Sequence, residues 1–537
     1  MAGNLSGSIY KKIGIASLIM MASIFLSRLT GLAREMVIAY IGGAGADVDA
    51  YQIAFVIPEI LNHVVASGFL SVTFIPIFTA YLVRDKEDDG WAVFSTVLNS
   101  VGIILGVMIL AAFMLAPRLI QVLAPGVQNP ELAARAVRMT RIILPAQLLF
   151  FAGGMLMAVQ FARERFFFPA LAPLVYNLGI ISGGLILGPW LGMEAFSWGV
   201  LCGAFVGNFL LQYWGARKAG MKWRMRVNLK HPDLKKYICL TLPLIIGLTM
   251  TFSTEIFLKY FGSFLPEGGI SALNYAFRMM LMLVGLFGQA VGVASFPFLA
   301  RLAAEKNFEQ MNRLLDHSLR YLSLVIPLSV LLMVLRHEVV MIIFQRGRFD
   351  AAATELTARA LLFLLVGSFG FAAQTIVVRG YYAIQNTLLP AIFGTLAVVM
   401  SLPLYWYGLR IAGISGVALA VTLSAVLQVL VLYGVWNKKS HNRGSRSVYA
   451  LYGRMLLISA GIGFMLEAFK TILYRHVSDG STITGSLIVI AVVTAAFFVM
   501  LAVAGYLFRV AEVEAMALKL VNRMTGRRTE VRGQKNK

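Results

Sequence analysis

Charged residues are scarce in this chain of 537 residues. They make up 13% of it, whereas an average soluble domain is about a quarter charged. Hydrophobic residues make up 59%, and the mean hydropathy is +0.78. Apolar runs are repeatedly long enough to cross the roughly 30 Å hydrocarbon core of a bilayer. These values exclude a soluble, a disordered and a fibrous protein, and they predict an all-α polytopic membrane protein.

The sequence has only two cysteines, and the common catalytic motifs are absent. Cys202 and Cys239 both lie inside apolar segments, and two isolated thiols define neither a disulfide framework nor a metal site. There is no Walker loop, no His-Glu-x-x-His and no Gly-x-Ser-x-Gly elbow. We therefore expect no metal, no cofactor and no nucleotide as energy source. An enzyme acting within the membrane is the weaker alternative to a transporter.

Acidic residues are fewer than basic ones, with 25 Asp and Glu against 47 Lys and Arg, which gives a formal net charge of +22. In a soluble protein this excess would suggest nucleic-acid binding. Beside spanning helices, basic residues are instead expected on the cytoplasmic side, where they fix orientation and contact anionic lipid. We therefore expect membrane lipids as partners, and no nucleic acid.

Apolar stretches of about 20 residues, separated by Gly, Pro or charge clusters, predict about 14 transmembrane helices. The first runs from residue 13 to Tyr40. The others are predicted at 49–82, 92–115, 136–160, 168–188, 194–215, 236–262, 269–302, 318–344, 357–384, 388–408, 412–436, 449–473 and 482–509.

The charge of the connecting loops predicts the topology. The segment 217–236 carries eight Lys or Arg residues and the linker 437–454 carries five. The loops 42–48, 188–194 and 262–269 carry none. Because Lys and Arg favour the cytoplasmic side, this alternation predicts an even number of spans with both termini in the cytoplasm.

An internal repeat predicts two lobes. The segment 161–171 matches 382–392 at an offset of about 221 residues, and further single matches keep this register. Six spans separate the copies, so the lobes should be related by an axis along the membrane normal. The alternative is that hydrophobic helices resemble one another by composition. The predicted organisation is an N-lobe at 1–218, a C-lobe at 219–437, two further helices within 438–510 and a basic cytoplasmic tail at 511–537.

Three ionisable residues are predicted to lie deep in the bilayer. At 1.5 Å per helical residue, Arg28 lies about 18 Å, His63 about 21 Å and Arg278 about 13 Å from the outer ends of their spans. Arg34 lies about 9 Å deep and could snorkel to the surface. Since a deep charge costs a few kcal/mol, each of these residues is a candidate functional residue.

The first helix carries a candidate anion-binding stripe. Arg28, Gly31 and Arg34 recur every three residues, and Gly31 is a natural place for a bend that would aim both guanidinium groups inward. Converging arginines in a water-filled cavity suit a substrate with phosphate groups, because a guanidinium binds phosphate oxygens in pairs and keeps its charge.

Internal pairing is the competing interpretation of these cations. Glu35, Asp49 and Glu59 lie on the same two predicted helices and could neutralise the arginines as structural ion pairs. His63 could be a neutral histidine hydrogen-bonded inside the bundle instead of a protonatable ligand-facing group. The sequence leaves both alternatives open, so Glu35, Asp49 and Glu59 are candidate cavity or gate residues.

Several segments resemble the MurJ/MviN family of lipid II flippases, within the multidrug/oligosaccharidyl-lipid/polysaccharide exporter superfamily. The resemblance rests chiefly on Ser-Arg-Leu-Thr-Gly-Leu-Ala-Arg-Glu at 27–35, Gly-Ala-Gly at 43–45, Asp-Ala-Tyr at 49–51, Phe-Ile-Pro at 74–76 and Leu-Asn-Tyr-Ala-Phe-Arg at 273–278. In span number and lobe layout it extends over essentially the whole chain.

This resemblance implies a transporter, not an enzyme, that moves the undecaprenyl-diphosphate-linked peptidoglycan precursor lipid II across the bacterial cytoplasmic membrane by alternating access. It implies a cationic cavity between two six-helix lobes and a groove for the polyprenyl tail along the helices within 438–510. By position, Arg28, Arg34 and Arg278 match arginines that the family uses for the diphosphate and headgroup. Asp49 matches a recurrent acidic residue. Other cell-wall synthesis proteins are further candidate partners.

Three departures from the family pattern leave the substrate open. Asn62-His63 stands where the family usually has Arg-Arg, and Ser67-Gly68 replaces an acidic-Gly step. An unperturbed histidine is charged only below about pH 6.5. Leu258 is apolar where the family usually has an acidic residue for a coupling ion. The alternatives are a flippase for another polyprenyl-linked oligosaccharide, a cation-coupled drug exporter or a non-transporting scaffold.

Overall fold

The computed structural model describes residues 2–63, 69–476, 482–510 and 512–514, and every regular element in these ranges is a helix. Within the described ranges, nine helices are long and apolar enough to cross a membrane, or ten when the bent pair Ala351–Leu365 and Ser368–Ala383 counts as one span. The predicted all-α membrane class is confirmed. The count of 14 spans stays a prediction.

The helices are numbered in chain order, and their bounds are as follows. The first ten are α1 (Ala2–Gly42), α2 (Ala46–Ala54), α3 (Val56–Leu61), α4 (Phe69–Val83), α5 (Glu87–Leu123), α6 (Pro130–Ile143), α7 (Ala146–Ala162), α8 (Phe167–Leu191), α9 (Glu194–Gly203) and α10 (Leu211–Lys218), with a π-helical segment at Ala204–Leu210. The others are α11 (Pro232–Gly262), α12 (Gly269–Val284), α13 (Ala290–Ala304), α14 (Phe308–Leu322), α15 (Val325–Val334), α16 (Arg336–Phe344), α17 (Ala351–Leu365), α18 (Ser368–Ala383), α19 (Leu388–Ser440), α20 (Ser445–His476) and α21 (Ile483–Leu507), with a second π-helical segment at Gly285–Gln289.

Prolines explain why three predicted spans are divided into shorter helices. A proline has no N–H to donate to the carbonyl four residues earlier, so the helix is interrupted just before it. Pro58 follows the break between α2 and α3, and Pro145 lies in the break between α6 and α7. Pro327 follows the break between α14 and α15. At the first break, the carbonyl of Ala54 accepts a hydrogen bond from Thr140 Oγ1 at 3.3 Å.

Side-chain caps and glycines fix several helix ends. Asn129 accepts from the N–H of Glu131 at 3.0 Å and Asn307 accepts from that of Gln310 at 3.0 Å, which caps α6 and α14. Within α19, Gly413 adopts φ 53° and ψ −125°, a conformation that favours glycine. It divides α19 close to the predicted boundary between the spans 388–408 and 412–436.

The chain divides into two compact units. Unit 1 comprises 1–275, 344–356 and 409–417, and unit 2 comprises 276–343, 357–408 and 418–537. Aromatic packing forms part of the core of unit 1, where the rings of Phe78 and Trp91 meet edge to face at 4.9 Å between centroids. In unit 2, α20 and α21 pack through buried residues that include Met455 and Phe497.

Glycines allow α8 and α9 to approach closely within unit 1. A Cβ placed on Gly179 would lie 2.5 Å from Gly203 Cα, and one placed on Gly183 would lie 2.5 Å from Gly199 Cα. Both distances are too short for real side chains, so the two backbones are in direct contact. Small residues at this spacing are typical of helix packing in membranes, where close van der Waals contact drives association.

We expect Gly183→Ala to destabilise the protein by about 1–3 kcal/mol, because the added methyl group would overlap backbone atoms that cannot move independently. The measurement is the apparent Tm of the purified protein in detergent. Gly188→Ala is the matched control, since a Cβ at Gly188 meets only Ile41 Cδ1 at 3.8 Å. Equal Tm values for the two variants would contradict this account of the α8–α9 interface.

Candidate functional site

One arginine of the stripe on α1, Arg34, is bound by other side chains of the protein. Arg34 Nη2 donates to Glu35 Oε1 at 2.6 Å, and Arg34 Nη1 donates to Asn177 Oδ1 of α8 at 3.2 Å. The Arg34 side chain remains 21% exposed. Asn177 Nδ2 also donates to the carbonyl of Ser27 at 3.3 Å. The interpretation of Arg34 as a member of an internal ion pair therefore describes this structure, while part of its guanidinium stays accessible.

Arg28 lies six residues earlier on the same helix and has an exposed side chain. At about 100° per residue, Arg28 and Arg34 point about 120° apart around the helix axis. α1 continues as helix through Gly31, and the bend expected at this residue stays a prediction. A Cβ on Gly31 would lie 3.9 Å from Asn177 Nδ2, so a methyl group would fit there.

Glu59 of α3 forms an ion pair that the sequence did not predict. Lys259 Nζ of α11 donates to Glu59 Oε2 at 2.7 Å, and Lys259 is 4% exposed. His63 follows α3 in a π-helical turn and is partly buried. Ser67-Gly68 lies outside the described residues. Leu258 is 2% exposed and apolar, as the sequence indicated.

Asp49 binds the N-terminus of α12. Its Oδ2 accepts from the N–H of Gly268 at 2.7 Å, and its Oδ1 accepts from that of Ser271 at 2.7 Å. Asp49 is 4% exposed. The first amides of a helix have no partners within the helix and carry partial positive charge, so a buried carboxylate is stabilised there. This contact joins two segments that are 219 and 222 residues apart in sequence.

Three turns pack tightly around this contact. Gly268, with φ 89°, has a backbone conformation that favours glycine, and a Cβ there would lie 2.4 Å from the carbonyl oxygen of Ala44. Gly43, with φ 70°, accepts through its carbonyl from Tyr275 Oη at 3.1 Å. The N–H of Arg348 donates to the carbonyl of Tyr40 at 2.9 Å. These contacts close one end of unit 1, and we call this part the closed end.

Three loops without basic residues meet at the closed end, beside the turn at 345–350, which carries Arg346 and Arg348. The turns at 43–45 and 262–268 are in contact through Gly268 and Ala44. A Cβ on Gly42 would lie 2.6 Å from Met193 Sδ in the turn between α8 and α9. A polar cavity of about 400 Å³ adjoins Asp49 and is lined mainly by 126–129 and 262–267. The three loops that the sequence places on one side of the membrane thus lie together.

Two basic residues in unit 2 face its helical interior. Arg278 of α12 is partly buried. Arg379 of α18 lies against α13, where a Cβ on Gly292 would be 2.5 Å from Arg379 Nη1. In the described part of the chain, this buried Nη1 atom has no hydrogen-bond partner. Arg379 was missed by the sequence analysis because it lies near the end of its predicted span, where snorkelling explains a basic residue.

An apolar groove runs along α20 in unit 2. It consists of two cavities of about 440 Å³ and 250 Å³ that share Phe369 and Leu456 as lining residues. Tyr449 lines one end, and Glu467 lines the other, where it lies 3.6 Å from Arg336 Nη1. At 1.5 Å per residue these ends are about 27 Å apart along the helix axis.

Two solved structures of membrane transporters share this fold. An inward-facing multidrug resistance MATE family transporter of the MOP superfamily matches with a TM-score of 0.66 at 14% identity, over 81% of this chain and 98% of that one. An inward closed lipid II flippase MurJ matches with a TM-score of 0.74 at 23% identity, over 92% and 99% of the two chains.

Sequence comparison gives the family. The lipid II flippase MurJ of Burkholderia cenocepacia is 28% identical over 416 residues, which cover 76% of this chain and 80% of that protein. The probable lipid II flippase MurJ of Bdellovibrio bacteriovorus is 25% identical over 497 residues, or 91% and 94% of the two chains. The family model described as lipid II flippase MurJ matches residues 38–493. The chain belongs to this family, which confirms the resemblance drawn from its motifs.

We expect Asp49→Ala to loosen the first turn of α12, because it removes two charge-assisted hydrogen bonds worth about 1.5–3 kcal/mol each. The measurement is hydrogen exchange of a peptide covering 265–275, which should exchange at least about tenfold faster. Asp47→Ala is the matched control, since Asp47 lies on the same helix but binds the Arg135 side chain. Unchanged exchange in Asp49→Ala would contradict the capping role.

Proposed function

We propose that this chain is a flippase that moves lipid II from the inner to the outer leaflet of the bacterial cytoplasmic membrane by alternating access, for cell-wall synthesis. The observation that carries the proposal is the match of the family model to residues 38–493. Lipid II carries a diphosphate, and the basic residues of α1 and α12 offer the chemistry that binds it. Other cell-wall synthesis proteins are proposed partners.

In this proposal Arg28, Arg34 and Arg278 bind the diphosphate and the sugar headgroup. Arg28 is exposed on α1, and Arg34 is held in place by Asn177 and Glu35. A diphosphate carries more negative charge than one carboxylate, so it can compete with Glu35 for the Arg34 guanidinium. Asn177 would keep Arg34 oriented during this exchange. The Glu35 contact then holds the arginine in the absence of substrate.

The closed end is the proposed outer gate. Of the loops that meet there, 42–48, 188–194 and 262–269 carry no Lys or Arg, which is typical of loops outside the cytoplasm, whereas the turn at 345–350 carries Arg346 and Arg348. Release of the headgroup outside requires the Asp49–α12 contact to separate, and the Lys259–Glu59 pair is placed to separate with it. A buried carboxylate loses its partners in that step, which costs several kcal/mol. Substrate binding together with the membrane potential or an ion gradient would supply this free energy. Both termini then lie in the cytoplasm.

The groove along α20 is the proposed site of the polyprenyl tail. Its lining is almost wholly apolar, and its length of about 27 Å is close to the thickness of the hydrocarbon core. A tail held there would remain at membrane depth while the polar headgroup crosses. The helices within 438–510 would thus supply the lipid site, and the lobes at 1–218 and 219–437 would supply the cavity.

A second candidate function is transport of another polyprenyl-linked oligosaccharide. The observation that favours it is Asn62-His63, where the family usually has two arginines. A neutral histidine offers less attraction for an anionic headgroup, which suits a substrate with a different pattern of charge. The basic residues of α1 argue against a cation-coupled drug exporter.

We expect wild-type protein to rescue a bacterial strain depleted of its own lipid II flippase, and Arg28→Ala and Arg278→Ala to fail because the diphosphate loses a charged ligand. The readouts are growth and exposure of lipid II at the outer face. Arg118→Ala is the control, since Arg118 is exposed on α5, a helix that carries none of the residues proposed to bind substrate. Rescue by Arg28→Ala at the wild-type level would exclude the proposed role of Arg28. Rescue by His63→Arg together with failure of well-expressed wild type would establish the second candidate function.

We expect Gly453→Phe to reduce lipid II exposure in the same strain, because the phenyl ring would fill the groove that holds the tail. Gly453 lines the groove, and a Cβ there meets no atom within 4 Å, so the helix itself should tolerate the change. Gly434→Phe is the matched control, because Gly434 has equally open surroundings on α19 and lies outside the groove. Equal transport by both variants would contradict the assignment of the groove.

A further inference from the structure

The segment between α10 and α11 contacts α5 without forming regular secondary structure, and we call residues 222–229 the strap. Asn99 Nδ2 of α5 donates to the carbonyls of Arg224 and Arg226, both at 3.0 Å. Trp223 Nε1 donates to Asn99 Oδ1 at 3.1 Å. The N–H of Arg224 donates to Ser95 Oγ at 3.1 Å. Two polar side chains of α5 therefore fix the backbone of a loop that has no regular structure of its own.

Basic and apolar side chains alternate along the strap, and both kinds are exposed. The apolar residues Trp223, Met225, Val227 and Leu229 are 48%, 88%, 50% and 68% exposed. Arg224 and Arg226 are exposed as well. The backbone turns at Met225, where the N–H of Arg226 donates to the carbonyl of Arg224 at 2.8 Å, so exposed apolar and cationic side chains are neighbours along the strap. Exposed apolar groups next to cations fit the boundary between hydrocarbon and headgroups.

The position of the strap on α5 corresponds to the headgroup level of a bilayer. The large exposed apolar side chains of α5 begin at Ile103 and end at Val122. These 20 residues cover about 30 Å, which equals the thickness of the hydrocarbon core. Asn99 lies one helical turn before Ile103, about 6 Å beyond the end of this apolar stretch. The strap bound to Asn99 is therefore at the depth of lipid phosphates.

We propose that the strap is a binding surface for anionic phospholipid headgroups. Arg224 and Arg226 supply guanidinium groups for the phosphates, and Trp223 supplies an indole of the kind found at membrane interfaces. In the described part of the chain, neither arginine forms an ion pair, whereas Lys222 binds Asp88 at 2.7 Å. Basic residues that only orient a membrane protein need no fixed geometry. Here Asn99 and Ser95 hold the backbone that carries the two arginines, and these residues are separate from those proposed to bind lipid II.

The test is tryptophan quenching by brominated lipid in vesicles that contain the purified full-length protein. The signal from Trp223 is the difference between wild type and Trp223→Phe. We expect it to be quenched more by brominated phosphatidylglycerol than by brominated phosphatidylcholine. Each cation near a membrane surface changes anionic lipid binding by about fivefold, so Arg224→Gln with Arg226→Gln should weaken the preference by roughly 25-fold.

Two further variants distinguish lipid binding by a surface of fixed geometry from lipid binding that depends on net charge alone. Lys438→Gln with Lys439→Gln removes the same charge from exposed positions in another basic segment and should leave the preference unchanged. Asn99→Ala keeps every charge but removes three hydrogen bonds of the strap, and it should also abolish the preference. Wild-type preference in the double arginine variant, or in Asn99→Ala, would overturn the proposal. Neither outcome bears on lipid II transport.

Discussion

A carboxylate removed from water needs donors that compensate for its lost hydration. Asp49 finds them in the first amides of α12, more than 200 residues away in the sequence. That single contact positions the turn at Gly268 against Ala44, and the neighbouring turns at Gly43 and Gly347 then pack at backbone distance. The closed end of unit 1 depends on this interaction together with the buried rings of Tyr275, Phe344 and Phe349, whose centroids lie 5.0 to 5.7 Å apart.

The other ionisable groups fall into two physical classes. Lys259 with Glu59 and Lys470 with Glu338 are ion pairs with at least one buried member, and their members lie on different helices, so they stabilise particular helix packings. The second class consists of cations that stay accessible, such as Arg28, which is exposed on α1. Arg34 belongs to both classes, since it is paired with Glu35 yet partly accessible. A flippase needs both kinds, because some charges must hold each conformation and others must attract and release an anionic headgroup.

The sequence predicted what depends on composition and local pattern. Long apolar runs predicted the helical membrane class, the motif at 27–35 predicted the family, and Gly413 lies where two spans were expected to separate. Glu35, the neighbour of Arg34, was among the partners that the sequence suggested, and it pairs with Arg34. The partners on other helices were not predictable, because they are chosen by packing between segments that are distant in the sequence. Asn177 gave one usable signal, since an amide inside the apolar run of α8 needs a partner, but nothing local pointed to Arg34. The pairing of Lys259 with Glu59 bridges 200 residues, and no local pattern around Lys259 indicates so distant a partner.

Movement of lipid II across a bilayer by this chain alone can be measured with purified protein in vesicles that carry lipid II in both leaflets, with an added enzyme that cleaves only lipid II exposed outside. We expect cleavage to proceed beyond the outer pool when the protein is present and to stop at that pool in protein-free vesicles. Cleavage confined to the outer pool in both cases, with protein shown to be folded, would contradict transport of lipid II by this chain.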